Sequence, residues 1–328
     1  MSYRAEKEKI ENQIHIIKLV ALCVVLGVLL FFCVFSAFRP PATWKYYVGK
    51  PKVSRCRNGE MRIHFLDVGQ GDSALIELPD GKVALIDGGD TSENTEKVIL
   101  RYLNKLRIKK IDYLIVTHPD SDHCGSLRTI VQQKKILNAY LPAAKPEKEG
   151  ESYAGFYQEL LDEECNITYA SRTVDLSSEG YTFTFLYPYS TNLENVEFYD
   201  GSSSIVWLDY MGVSAIFMGD EGVDTEERLM RDDRLGLLDN LGVDLQSTEI
   251  LKVGHHGSNT STSLEFLQYL QVAEGVISCG ANNQYGHPTD TVLANVAAAG
   301  ANVYRTDENG TVMITVDDEG AYEVKTSK

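Results

Sequence analysis

A chain of 328 residues with 43% hydrophobic content can build one large domain or two small ones around a sizeable core. Its formal charge of −16 is unevenly spread, with a balance of +7 over residues 1–59 and −23 over the rest. That acidity excludes tight nucleic-acid binding by charge alone, because such binding depends on Lys and Arg neutralising phosphates. The six cysteines show no C-x-x-C or zinc-knuckle spacing and do not indicate a disulfide framework.

Residues 1–18 form a polar tail of mixed charge. Leu19–Phe38 is twenty residues without a charge, about 30 Å as a helix, which matches a hydrocarbon core. It is long for a signal-peptide core and predicts a membrane anchor, although small residues near Ser36 and Ala37 leave cleavage and secretion open. Arg4, Lys7, Lys9 and Lys18 precede the span, and Arg39, Lys45, Lys50, Lys52, Arg55 and Arg57 follow it. The count of positive charges slightly favours an inside C-terminus, yet large domains translocate regardless of such charges. The expectation is a single-pass protein of the cell membrane with an extracytoplasmic catalytic domain. Residues 39–59, punctuated by Pro40, Pro41, Gly49, Pro51 and Gly59, read as a linker. The globular domain then occupies residues 60–328.

Three apolar runs, Met61–Leu66, Ser73–Leu78 and Val83–Ile86, read as strands joined by tight turns. Apolar residues at 98, 99, 102, 103 and 106 follow a helical period over Asn94–Arg107. Tyr113–Val116 reads as a buried strand, followed by a helix near Ser126–Gln133, a strand near Ile136–Tyr140, a charged loop over 142–151 and a helical stretch to Glu164. In the second half, Tyr181–Leu186, Ser204–Asp209, Ser214–Met218 and Ile250–Val253 read as strands, and residues 222–240 as a charged helix. Helices at Ser263–Leu270 and 289–299 alternate with strands at Gly275–Ser278, Val303–Tyr304, Thr311–Val316 and Tyr322–Val324. Two halves of this mixed kind predict two sheets face to face with helices outside.

The stretch with the densest chemistry is IDYLIVTHPDSDHCG at 111–125. Within six residues after the apolar run come His118, Asp120, Asp122 and His123, in the loop beyond a strand's carboxyl end, where open α/β layers usually place their chemistry. Two imidazoles and two carboxylates suit zinc, manganese or iron better than calcium. Four such groups cannot close on one ion without strain, so the spacing suggests pairs, His118 with Asp120 and Asp122 with His123. The bland alternative is a polar turn capping the next helix. Cys124 reads as a small buried residue.

Other groups stand at strand ends. Asp67 in LDVGQGD and Asp87 in LIDGG can orient ligands or hold loops. Asp220 in IFMGD can bridge two metals. Of His255 and His256, after ILKV, one can bind metal while the other contacts substrate or a supporting carboxylate. His287 in YGHP sits in a loop, because Pro288 disfavours helix before it, and can touch substrate or donate a proton. Ser258 and the donors near Gly257 can hold a phosphate oxygen. His64, between Ile63 and Phe65, reads as structural, and His15 carries no catalytic role.

Together FLDVGQGDSALI (65–76), LIDGGD (85–90), THPDSDHCGSL (117–127), SSIVWL (203–208), FMGD (217–220), LKVGHHGS (251–258) and YGHP (285–288) resemble the metallo-β-lactamase superfamily. The resemblance is greatest to the hydrolase domain of ComEC-type competence proteins and their stand-alone relatives. It implies an αββα sandwich with one or two divalent ions, zinc or manganese, at one edge of the sheets. His118 and Asp120 would serve one ion, Asp122 and His123 the second, Asp220 would bridge, and His255 or His256 would be the late histidine. The chain departs from the superfamily in having no histidine between His123 and Asp220, where a ligand is common. With only one span it cannot be the DNA channel of the ComEC type. The reading that follows is a metal-dependent phosphodiesterase or nuclease using activated water, with Asp122, His256 and His287 as its catalytic candidates and nucleic acid or another phosphodiester as substrate. The rivals are a hydrolase of another ester, lactone, lactam, thioester or cell-wall phosphoester, and a non-catalytic metal-binding scaffold.

Overall fold

The computed structural model describes residues 3–49, 51–144, 146–189 and 203–328. The chain forms two compact units, Met1–Gly49 and Lys50–Lys328. In the first, one helix runs Tyr3–Phe38. It takes in the polar tail as well as the apolar run, because nothing before Pro40 breaks it and Glu, Lys, Leu and Ala favour it. Its Glu6–Phe38 portion is long and apolar enough to cross a membrane. A 3-10 turn, Pro41–Tyr46, follows. Trp44 packs its ring 5.7 Å from Phe32 and 5.6 Å from Phe35 and donates Nε1–H to the Arg39 carbonyl at 2.8 Å.

The second unit holds fourteen strands among the described residues. They are β1 (Met61–Phe65), β2 (Ala74–Glu77), β3 (Val83–Ile86), β4 (Lys110–Ile115), β5 (Lys135–Leu141), β6 (Asn166–Tyr169), β7 (Tyr181–Tyr187), β8 (Ile205–Tyr210), β9 (Val213–Phe217), β10 (Ile250–Lys252), β11 (Glu274–Ile277), β12 (Asn302–Arg305), β13 (Val312–Val316) and β14 (Tyr322–Thr326). One sheet has the order β14-β13-β1-β2-β3-β4-β5-β6, and the other β12-β11-β10-β9-β8-β7. Both mix parallel and antiparallel pairs.

Period-two patterning explains the layers. Ile63 and Phe65 enter the core between the sheets, where the Phe65 and Phe217 rings lie 5.9 Å apart. His64 points the other way, its Nδ1 2.9 Å from the Tyr102 hydroxyl and its Nε2 3.1 Å from Glu77. Tyr102 belongs to the helix Glu93–Lys105, which covers that outer face and buries Ile99, Leu100 and Leu103. On the second sheet, Trp207, Ile216 and Leu251 pack outward with Leu229, Phe266, Leu270, Val292 and Val296 of three helices. Each such large apolar side chain contributes roughly 1.5–3 kcal/mol on burial. The result is the expected αββα sandwich.

Three local features differ from expectation. β6 is an additional, polar edge strand whose sequence NITY carries no apolar run. The charged helix after residue 222 stops at Arg234, because Gly236 turns the chain with φ +69°, and a separate 3-10 turn follows at Asp239–Leu241. The two C-terminal strands join the first sheet, where β13 pairs with β1 (Met61 opposite Val316). Within the charged loop 142–151, Lys145 lies outside the described residues, and a 3-10 turn occupies Pro146–Lys148.

Strand direction gathers the candidate residues at one edge. β1, β3 and β4 run the same way, as do β9, β10 and β11. The segments that follow them carry Asp72, Asp87, His118, Asp220, His256 and Ser278.

Candidate metal centre

The site is built from the loop after β4. Asp87 adopts φ +60° at the end of β3 and its carboxylate accepts from Thr117 N at 2.8 Å and Thr117 Oγ1 at 2.7 Å. The same carboxylate lies 2.8 Å from His123 Nδ1. A carboxylate only accepts, so Nδ1 carries the proton and Nε2 faces the cluster as a lone pair in the neutral ring. His256 is set in the same way. Its Nδ1 lies 3.0 Å from the Ser278 carbonyl, which leaves Nε2 for ligation.

Asp72, His123, Asp220 and His256 each offer a ligand atom, and these atoms lie within 4.8 Å of one another. Asp220 is the hub. Its Oδ1 is 3.3 Å from His123 Nε2, and its Oδ2 is 3.7 Å from His118 Nε2, 3.6 Å from His255 Nε2 and 3.8 Å from His256 Nε2. The His123 and His256 Nε2 atoms are 3.3 Å apart. Asp220 Oδ1 and Asp72 Oδ1 are buried without a hydrogen-bond partner among the described residues. Buried acceptors beside converging imidazole nitrogens are costly unless a cation completes them. The nitrogen–oxygen donor set fits a divalent metal ion.

The carboxylates and imidazoles of the cluster shift one another's ionisation. Burial works against charging Asp220, but the His123, His256 and His118 imidazoles hold its carboxyl well below the usual range. Burial likewise opposes charge on His256, but Asp72 and Asp220 raise it to about 9. His123 is raised well above its ordinary value by Asp220 and Asp87 against the same burial. His118 goes the other way: burial, then the neighbouring His123, lowers it to about 4. An arriving ion would displace the histidine protons, so uptake is coupled to proton release. Supplying zinc or manganese at about a hundred times Kd is expected to stabilise the fold by about 2.7 kcal/mol, or about 5–10 °C in Tm. Thermal melts with metal and with chelator check this, and coincident melts would contradict metal binding here.

Residues 66–281 match the family model for the metallo-β-lactamase superfamily. The chain belongs to this superfamily. It is 31% identical over 275 residues to ComE operon protein 3 of Bacillus subtilis, covering 78% of this chain and 33% of that protein. It is 30% identical over 252 residues to competence protein ComA of Neisseria gonorrhoeae, covering 76% and 32%. The chain therefore spans about a third of the length of these curated competence proteins of the ComEC type. Among solved structures, the CmlA β-hydroxylase E377D mutant superimposes with a TM-score of 0.50 at 12% identity, covering 77% of this chain and 53% of that one, a likeness of fold.

Within this superfamily domain the structure brings His118, Asp122, His123, Asp220, His255 and His256 together. Asp122 Oδ2 lies 3.3 Å from His256 Nε2, with the side chain 30% exposed. Burial opposes ionisation of Asp122, but the His256 hydrogen bond and the charge on His123 hold its carboxyl below the ordinary value. Asp120 sits at the rim, 3.8 Å from His118 Nε2. His255 is one-third exposed, with Nδ1 3.2 Å from Thr260 Oγ1. Asp87 supports His123 from behind. Ser258 Oγ accepts from Thr260 N and Oγ1 at 3.3 and 3.0 Å, and so holds its own turn. The His287 ring packs edge-on to His255 with centroids 5.6 Å apart. Asp67 is directed elsewhere, its Oδ2 accepting from Lys328 Nζ at 2.8 Å.

Three residues were missed in the sequence. Asp72 shares the LDVGQGD segment with Asp67, and its signal is the preceding Gly71, with φ +126°. A Cβ on Gly71 would lie 2.3 Å from the Asp122 carbonyl oxygen, so only glycine lets this loop reach the metal loop. Lys252 Nζ reaches Asp72 Oδ2 at 2.7 Å, with both side chains buried. Burial opposes ionisation of Asp72, but Lys252 and His256 hold its carboxyl far below the ordinary value. Ser203 Oγ accepts from Asp220 N at 3.1 Å and lies 3.2 Å from His118 Nδ1, within the stretch that lacks histidine.

Proposed function

We propose that the chain is a membrane-anchored, metal-dependent hydrolase of phosphodiesters, with nucleic acid as the substrate class. The observation that carries this reading is the buried Asp72–His123–Asp220–His256 cluster with the half-buried Asp122 carboxylate at its margin. His123, His256, Asp220 and Asp72 would hold one divalent ion, zinc or manganese, and His118 and Asp120 would hold a second against Asp220. A bound ion of this kind acts as a Lewis acid and brings the pKa of water towards 7. Asp122 would accept a hydrogen bond from the attacking water and orient it. His287, whose ring meets that of His255, would contact the substrate.

The names of the curated relatives support a link to competence, and hence to DNA. The proposal places Leu19–Phe38 in the cell membrane, residues 39–59 as linker and residues 60–328 outside the cytoplasm. The test is hydrolysis of single- and double-stranded DNA by the full chain in detergent, with manganese or zinc supplied. Asp122→Asn, purified identically, is expected to lose at least about a hundredfold in rate. If the folded, metal-loaded wild type cleaves neither substrate, the nuclease reading falls.

A further inference from the structure

We propose that Tyr285, stacked on His287, is a platform for an unpaired nucleobase beside the scissile phosphodiester. The inference rests on the phosphodiesterase reading above and adds how the substrate is held. Tyr285 is 58% exposed, the most exposed aromatic ring among the described residues of the second unit. Its ring stacks on His287 with centroids 5.8 Å apart and planes 27° from parallel. His287 meets His255 edge-on, and His255 Nε2 lies 3.6 Å from Asp220. A ladder of rings therefore leads from the ligand cluster to solvent. His287 Nδ1 is buried and has no hydrogen-bond partner among the described residues.

The loop that carries these rings is held firmly. Asn283 Oδ1 accepts from Tyr285 N at 3.2 Å and His287 N at 3.1 Å, while its Nδ2 donates to the Gly280 and His287 carbonyls at 2.9 and 2.5 Å. Gly280 N donates to Gln70 Oε1 at 3.1 Å, and Thr289 N to the Gly257 carbonyl at 2.9 Å. An exposed aromatic on a braced loop presents a preformed flat face and loses little freedom on binding.

Charge points the same way. Residues 60–328 carry a balance of −23, so a nucleic acid gains little here from phosphate neutralisation. Stacking on an aromatic face is the remaining strong, sequence-tolerant source of affinity for single strands. A base within a duplex keeps its faces against its neighbours and is not free to use the platform.

The test compares oligothymidylate with a base-free tetrahydrofuran–phosphate chain of equal length, both cleaved by the full chain in detergent with manganese. The wild type is expected to prefer oligothymidylate. Tyr285→Ala is expected to reduce that preference in kcat/KM by about tenfold to a hundredfold, mainly through KM, while Tyr285→Phe keeps it. An unchanged preference in Tyr285→Ala, or an equal loss in Tyr285→Phe, would overturn the platform. A wild type that cleaves both chains equally sinks the platform alone. A wild type that cleaves neither sinks the phosphodiesterase reading and the platform with it.

Discussion

Asp220→Asn is expected to purify without bound metal and to lose the proposed phosphodiester hydrolysis by at least about a hundredfold. The carboxylate stands 3.3–3.8 Å from the Nε2 atoms of four histidines, so it is an anion those imidazoles share. The amide keeps the side chain's size and removes its charge, and the remaining imidazoles then face one another without their anion. Asp87 still orients His123, and the Ser203 bond to the residue 220 backbone needs no side chain, so the loop geometry survives. Elemental analysis of the purified variant, alongside its rate, decides the matter. Wild-type metal content in Asp220→Asn would show that the ion sits elsewhere.

Lys252→Met is expected to destabilise the metal-free protein by about 3–5 kcal/mol, the usual cost of removing one partner from a buried ion pair. That corresponds to roughly 10 °C in Tm for a domain of this size. The pair spans the sandwich, with Lys252 on β10 and Asp72 after β1, and both side chains are at most 7% exposed. Methionine fills similar space but removes the cation nearest the buried Asp72 carboxylate. A bound metal would supply that missing charge to Asp72. The destabilisation should therefore shrink when manganese is present, by several degrees in paired thermal melts. Equal losses with and without metal would show that the ion does not engage Asp72.

Much of the site was legible because ligand chemistry concentrates in short loops. His118, Asp120, Asp122 and His123 follow one buried strand, and Asp220, His255 and His256 follow two others. A polar group directly after an apolar run can be read without any structure. The αββα architecture was legible for the same reason, since apolar runs and helical periods alternate along the chain. β6 was not, because NITY sits at a sheet edge and buries little.

The choices between neighbours were not legible. His255 and His256 are adjacent and both left-handed, at φ +45° and +54°. Only the fold turns His256 inward to Ser278, Asp122 and Asp72 and leaves His255 one-third exposed. Asp67 and Asp72 lie in one loop, and the close approach of Gly71 to Asp122 decides which carboxylate enters the cluster.

The sequence by itself determined the sandwich, the apolar N-terminal helix and most of the residues gathered at the candidate site, because local periodicity and loop chemistry depend on residues close together in the chain. Tertiary structure alone decided that β13 and β14 complete the first sheet, that Lys252 neutralises Asp72, and that His256 rather than His255 faces inward. Each of those outcomes depends on contacts between segments far apart in the chain, and no spacing within either segment records them.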